Sequence, residues 1–516
     1  MKKSVRNTIL IVLAIALLCF AALLGINYYL KQKVETFVNN NLPEHYDITY
    51  SDLSVHLLTG TITYSGVQLK IKNQDNDDMH TSVHMDSLII EDISYQRYLF
   101  SNEILIEDIK LKSPVIRHYK HLYLRKQDSS SQKGRIKLGK PLTVEELSID
   151  NSTIHMFDET KDSVFLYAEN LTVEIDDIHI DPETLQKRLP LKYGDYDAKA
   201  DSIALKVGSR ELLKIADFDV HDRKLVARQL QLKTVMSKQQ LDARVNRERD
   251  HIDVVVDSIS IDSLDFGFKT RKLFTRASQI SIDGLDATIY RNKLLPDDQR
   301  TKKSYGQLLR ELPFSMDVDS VNISNTALEY QEKTKAENPP GTLTFEKMNA
   351  TIYNFGNTYS GDTKTRVLAD AVFMGYTPMN VDWSFAVQDA SNQFLFKGDM
   401  GQLQAKQLNS FTRPNLNVGL VGEMDKVYFT ISGTDTGSNI DMRINYEEFK
   451  VELLKDNGRK KRKFISGLLN IFVSKESEDD GKNFSDCKAT VTPDRTKSFF
   501  NYVWKNLEAA LKDCLL

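Results

Sequence analysis

Apolar side chains recur at every second position along most of this chain, from about Pro43 to Asn349. Leu171, Val173 and Ile175 alternate with Thr172 and Glu174, and Ile252, Val254 and Val256 form a second run. Phe266 and Phe268 flank Gly267, and Ile280 and Ile282 repeat the spacing. A backbone gives that period only when consecutive side chains leave it on opposite faces, as in a β-strand. Runs of this kind, broken by Asp, Asn, Ser and Gly, predict short, half-buried antiparallel strands. Helical spacing is sparse. Lys31–Asn41, with Val34, Phe37 and Val38 on one side, reads as a short amphipathic helix, and Pro182–Leu189 and Lys302–Leu312 as brief helices between strands. The polar stretch Asp128–Lys137 reads as a loop, and Trp383–Leu395, Val418–Gly433 and Asn439–Leu454 as further strands. The fold class expected is mainly β, an elongated and curled antiparallel sheet with short linker helices.

The strands resemble one another. A small or apolar residue, Asp, Ser and then alternating aliphatics occur at Met85–Ile90 (MDSLII), Ala200–Leu205 (ADSIAL), Val256–Ile261 (VDSISI) and Val318–Ile323 (VDSVNI). The first and third copies also continue alike. Each has a linker, at Tyr95–Phe100 or Arg271–Arg276, and a second strand, at Ile104–Leu111 or Ile280–Ala287. A supersecondary unit used repeatedly predicts a quasi-linear array.

Both ends depart from this pattern. Between Arg6 and Lys31 there is no charged residue, and Ile9–Leu24 is almost purely aliphatic. At about 1.5 Å per residue that stretch reaches across a hydrocarbon core of about 30 Å. Tyr28 and Tyr29 close it where amphipathic rings favour the interface, and Lys2, Lys3 and Arg6 precede it, so the N-terminus is expected in the cytoplasm and the body on the far side. A cleaved signal would need an A-x-A-like site after the apolar core, whereas Ala14–Ala16 lies inside it. A lipoprotein signal would need a small residue before Cys19, where Leu18 stands. The expectation is an uncleaved, single-pass anchor.

At the other end, the basic run Arg459, Lys460, Lys461, Arg462, Lys463 precedes the apolar Phe464–Val473. In Phe499–Leu516 the residues Phe500, Val503, Trp504, Leu507, Leu511, Cys514 and Leu515 fall at helical spacing, opposite Asn501, Lys505, Glu508 and Lys512. This predicts an amphipathic helix. The basic run, with Phe500 and Trp504, supplies candidate membrane contacts. The alternative is a solvated loop and a helix docked on the end of the sheet, covering its edge.

Catalytic chemistry finds little footing. All ten histidines lie at or before His251, without an HExxH pair or zinc-ligand spacing. Asn73–Asp78 begins like a calcium loop but lacks its glycine and distal Glu. There is no P-loop, GxGxxG or nucleophile elbow in context, so no catalytic residue, cofactor or metal is expected. A net charge of -4 over 516 residues points to no nucleic-acid partner. Three cysteines without a CxxC pair leave room for a single Cys487–Cys514 bridge.

Sheets of alternating strands have one apolar face, and this chain supplies few helices to cover it. Either the sheet packs on itself, as a sandwich or closed solenoid, or its apolar face stays open as a groove for acyl chains. Candidate lining residues are Leu88, Ile90, Ile104, Ile106, Val254, Val256, Ile259, Ile261, Ile280, Ile282, Val321 and Ile323.

The order of features resembles the AsmA-like proteins of Gram-negative envelopes. The resemblance rests on the anchor and the helix after it, on ITYSDLSVHLLTGTITYSGVQLKI at Ile48–Ile71, and on the stretch from Met85 to Tyr119. It continues through LSIDNSTIHMFDE from Leu147, INYEEFKVELL at Ile444–Leu454 and DRTKSFFNYVWKNL at Asp494–Leu507. It implies an inner-membrane protein whose periplasmic β-groove carries phospholipid, with outer-membrane or other envelope proteins as partners. A scaffold that assists outer-membrane assembly without carrying lipid is the other role it implies. The corresponding organisation is an anchor at 1–30, an N-terminal β module at 31–125, a repetitive body at 138–350 and a C-terminal module at 351–516. With 20–25 strands at about 4.8 Å spacing, the sheet would run only about 100–120 Å.

Overall fold

A computed structural model of the chain describes residues 31–32, 44–123, 140–454 and 484–515, apart from 57, 74–75, 159, 161–162, 188 and 270–271. The expected anchor, the Asp128–Lys137 loop, the basic run Arg459–Lys463 and the apolar Phe464–Val473 lie outside these residues. The helix expected at Lys31–Asn41 is described only at Lys31 and Gln32, both helical. Among the described residues no helix is long and apolar enough to cross a membrane.

The protein is mainly β, with 61% strand and 13% helix. In chain order come β1 (Tyr46–Thr49), β2 (Asp52–His56), β3 (Thr61–Lys72) and β4 (Met79–Glu91). A short helix, α1 (Tyr95–Phe100), leads to β5 (Ile104–Lys112) and β6 (Val115–Tyr119). Then follow β7 (Leu142–Phe157), β8 (Val164–Ile180), β9 (Tyr196–Ala200), β10 (Ser202–Val207), β11 (Glu211–Ile215), β12 (Asp217–His221) and β13 (Lys224–Thr234). Helix α2 (Lys238–Arg244) precedes β14 (Asp250–Asp262), β15 (Asp265–Lys269) and β16 (Lys272–Asn292). Next are α3 (Tyr305–Arg310), β17 (Ser315–Lys333), β18 (Gly341–Gly356), β19 (Thr365–Phe373), β20 (Thr377–Phe385), β21 (Phe394–Met400) and β22 (Leu403–Gln404). The chain continues through α4 (Asn409–Leu416), β23 (Val418–Gly433), β24 (Ser438–Leu453), β25 (Ser485–Val491) and α5 (Phe499–Leu515). Pro182–Leu189, expected as a helix, holds only the 3-10 turn Thr184–Gln186. The run Trp383–Leu395 is split between β20 and β21 by a turn.

Two compact units result, one of residues 1–206 with 215–222, the other of 207–214 with 223–516. Residues 350 and 351 lie together inside β18. In the first unit, β1 and β2 both pair with β3, β3 with β4, and β4 with both β5 and β6. In the second unit the ladder runs β11, β13, β14, β16, β17, β18, β19, β20, β21, β23, β24, β25. The expectation of antiparallel pairing throughout is corrected in three ladders. β5 and β6 run parallel to β7, and β16 runs parallel to β17. Parallel neighbours need a connection that returns the chain to its starting end. Residues 120–141 and 293–314 are the connections that do so, the second containing α3.

The Asp-Ser repeats have a structural meaning. Asp86 stands opposite Gly66, Asp257 opposite both Gln229 and Gly284, and Asp319 opposite Asn354. Asp201 accepts a hydrogen bond from Asn170 Nδ2 at 2.9 Å. Each of Gly66, Asn170, Gln229, Gly284 and Asn354 has positive φ, from 51° to 65°. A left-handed residue inside a strand works as a bulge, bending the strand and shifting its alternation by one. The apolar phase accordingly moves from 280 and 282 to 285, 287 and 289 across Gly284, and from 252, 254 and 256 to 259 and 261 across Asp257. The residue before each repeated Asp (Met85, Ala200, Val256, Val318) is buried. The motif therefore marks creases that bend the sheet while keeping its apolar face continuous.

Candidate apolar face and its surroundings

Apolar side chains, half-exposed apart from the buried Val321, line up across neighbouring strands of the second unit. Ile261 pairs with Ile280, Ile280 with Val321, and Val321 with Ile352. Beside that row run Ile259, Ile282, Ile323 and Ala350. The packed group around Ala277, Val318 and Val321 draws its members from β14, β16, β17 and β18, all one sheet. Val254 and Val256 continue the face beyond the crease, opposite Ala287 and Leu285. In the first unit Ile90, Ile104 and Ile106 gather with Val144 and Ile178, while Leu88 joins Leu53, Tyr64, Val67 and Met85. Of the twelve expected lining residues, Ile106, Val256 and Val321 are buried and take no ligand contact without movement. Leu88, Ile90, Ile104, Val254, Ile259, Ile261, Ile280, Ile282 and Ile323 are half-buried.

The end of the second unit is different. Phe385, Phe394, Phe396, Phe429, Ile431, Ile440, Met442 and Ile444 form a closed core with Tyr502, Val503 and Ala510 of α5. Phe499 stacks on Trp383 with ring centroids 4.7 Å apart. Asn506, fully buried, accepts from Ser438 Oγ at 2.8 Å and donates to Tyr502 O at 2.9 Å. Cys487 of β25 is bonded to Cys514 of α5, with Cα atoms 5.2 Å apart. The docked-helix reading of α5 thus holds, and its expected apolar face is corrected. Phe500 and Trp504 point outward, while Tyr502 and Asn506 point inward, because Ser438 supplies the buried amide with a partner.

Sequence reasoning missed a trough lined by charged side chains together with apolar ones such as Ile323, Val381, Phe429 and Met442. It has a volume of about 870 Å³ and spans β17 to β25, so these strands curl around it. Four of its carboxylates, Asp382, Asp399, Asp441 and Asp486, are paired across strands. Arg366 holds Asp382 at 2.9 Å, Lys426 holds Asp399 at 2.6 Å, Arg443 holds Asp486 at 2.6 Å and Lys488 holds Asp441 at 3.3 Å. The signal was present in the polar positions alternating with Phe394, Phe396, Ile440 and Met442.

One acidic group stands out among the described residues. Carboxylate oxygens of Glu146, Glu174 and Asp176 lie within 4.8 Å of one another. Burial, then the nearby Glu174, Asp108 and Asp176, pushes the Glu146 carboxyl above its usual value, with Lys110 acting against them. Adjacent strands bring these acids together, since Glu146 pairs with Asp108 and with Asp176. At the ends of the Asn73–Asp78 stretch, Asn73 N–H donates to Asp78 O at 2.9 Å. No family model and no curated protein matches the chain.

Proposed function

We propose that this protein is a membrane-anchored carrier that shields phospholipid acyl chains along the apolar face of its sheets. The observation that carries the reading is the half-exposed strip Ile259, Ile261, Ile280, Ile282 and Ile323, whose packing partners come from its own sheet. Each methylene laid on such a surface is favoured by up to about 0.8 kcal/mol, and the headgroup stays in water, so transfer needs no covalent step. The resemblance to AsmA-like proteins supports lipid movement or homeostasis in a two-membrane envelope, with phospholipids and the inner membrane as partners. The uncharged stretch of residues 7–30 supports the anchor. The Cys487–Cys514 bridge supports a body on the oxidising, periplasmic side. A scaffold that assists outer-membrane assembly and carries no lipid is the second reading, favoured by the way α5 closes the apolar face over β20–β25.

Photo-crosslinking separates the two. A photoreactive residue placed at Ile282 in cells should capture phospholipid, and one at Tyr353, on the opposite face of the sheet, should not. Absence of phospholipid at Ile282 would reject the carrier and leave the scaffold.

A further inference from the structure

The first unit carries a second apolar surface that the carrier reading does not use. Leu58 is 85% exposed, Leu99 69% and Phe100 83%, with Tyr95 and Tyr98 also exposed beside them. α1 (Tyr95–Phe100) buries none of its residues. Polar and cation–ring contacts hold it, among them Arg97 Nη1 with Glu103 Oε2 at 3.8 Å. Ser94 Oγ accepts from Arg97 N at 3.4 Å, and Lys140 Nζ donates to Tyr98 O at 2.5 Å and lies 3.8 Å from the Tyr98 ring centroid. Ile93 N–H donates to Gly60 O at 3.3 Å, which brings the Leu58 turn to the same end of the sheet as α1. Single exposed aliphatics are ordinary on a protein surface, whereas this many on one turn and one short helix mark a contact.

The chain path indicates the partner. His45 O accepts from Lys72 N at 2.9 Å, at the far end of β3. Lys31 Nζ lies 3.9 Å from Asp52 Oδ1, and Asp52 pairs with Ser65. Going back from His45 to Lys31, the chain has advanced about seven strand residues, roughly 23 Å, toward the end that carries Leu58 and α1. Residues 1–30 continue from that point, and the stretch without charge ends at Leu30. Tyr, Leu and Phe beside Arg97 and Lys140 are the composition that favours an anionic headgroup interface.

We propose that α1 and the Leu58 turn rest in the headgroup region of the same bilayer that residues 7–30 span, docking the first unit on the membrane. The proposal rests on the anchor reading above. It puts one end of the sheet of the first unit against the lipid surface, where an acyl chain would enter or leave.

The test uses the full chain in vesicles of phosphatidylethanolamine and phosphatidylglycerol, with some lipids brominated high on their acyl chains. A Phe100→Trp variant adds an indole to Trp383 and Trp504, and a Tyr123→Trp variant adds one at the other end of the sheet. The expected result is flotation with the vesicles and loss of the added emission only for Phe100→Trp. Failure to float would overturn the anchor and the docking together. Flotation with the Phe100→Trp emission unquenched, or with both variants quenched alike, would overturn the docking alone. An emission shift that follows the protein-to-lipid ratio rather than bromination would give the surface to a second copy of the chain, and overturn it too.

Discussion

Removing the Cys487–Cys514 bridge tests how the closed end of the second unit is held. The cysteines are 27 residues apart, and crosslinking a loop of that length restricts the unfolded chain by about 3.5 kcal/mol in the chain-entropy model. Cys514→Ser is the better perturbation, because Cys487 is buried in the core and its free thiol would still pack there as a small apolar group. The loss is large against a domain stability of about 5–15 kcal/mol, yet α5 keeps its contacts through Tyr502, Val503 and Ala510. The variant should therefore fold and unfold earlier. Urea unfolding followed by tryptophan emission reads this directly, since Trp383 stacks on Phe499 of α5 and Trp504 lies on the helix itself. The wild-type protein with reductant should move its midpoint to that of the variant. Equal midpoints for the oxidised, reduced and substituted proteins would refute the reasoning. So would a thiol count of three on protein denatured without reductant.

Three further outcomes follow from particular residues. Gly284→Ala places a side chain at φ +65°, where its Cβ would overlap the Asp257 carboxylate; it should cost about 1–3 kcal/mol and more if the crease cannot shift, read as a lower unfolding midpoint. Asn506→Ala leaves the buried Ser438 hydroxyl only the long 3.5 Å contact to Val491 O and should cost about 1–3 kcal/mol, with Asn506→Asp no better at neutral pH. The Glu146 carboxyl titrates above its ordinary 4.5, so the native state holds that proton better than the unfolded chain does. Its contribution to stability is complete below 4.5 and is lost as pH rises through the folded value. Glu146→Gln should thus be the more stable protein at neutral pH, and that advantage should shrink in acid; thermal unfolding across pH checks it.

Much of this architecture is legible in the residues. Period-two runs mark the strands because a half-buried strand has one wet face, and β23 and β24 match the expected Val418–Gly433 and Asn439–Leu454 almost to the residue. The Asp-Ser repeats point to real structural correspondence, but their role as creases depends on which residue stands opposite, and pairing is not written in a single strand. The same limit hides the parallel ladders, because alternation is identical in either direction. It hides the trough as well, whose charges look like ordinary solvated positions until curvature brings eight strands around one space. The helix α5 shows another limit. Helical spacing groups Phe500 and Trp504 with Val503, whereas the buried face turns toward Asn506 because Ser438 awaits it and Cys514 must reach Cys487.

The distribution of creases and of cover bears on where the proposed carrier would hold lipid. A strand that must present one apolar face over a long, twisted course drifts out of phase unless its alternation is corrected. β16 runs from Lys272 to Asn292 and β17 from Ser315 to Lys333, and each carries a left-handed residue, Gly284 or Asn325, at the point of correction. The strands β19, β20 and β21, which α5 helps to cover, are shorter and have no left-handed residue within them. β23 and β24 of the same closed core are longer and do carry left-handed residues, Gly422 and Glu448, so creases serve both faces. A face that must stay apolar along its whole length, with no covering layer to reward each side chain, needs the phase restored at every bend. What separates the two faces is their cover: the isoleucines of β14, β16 and β17 draw their packing partners from their own sheet, so the proposed carrier would hold phospholipid there rather than over the C-terminal core that α5 closes.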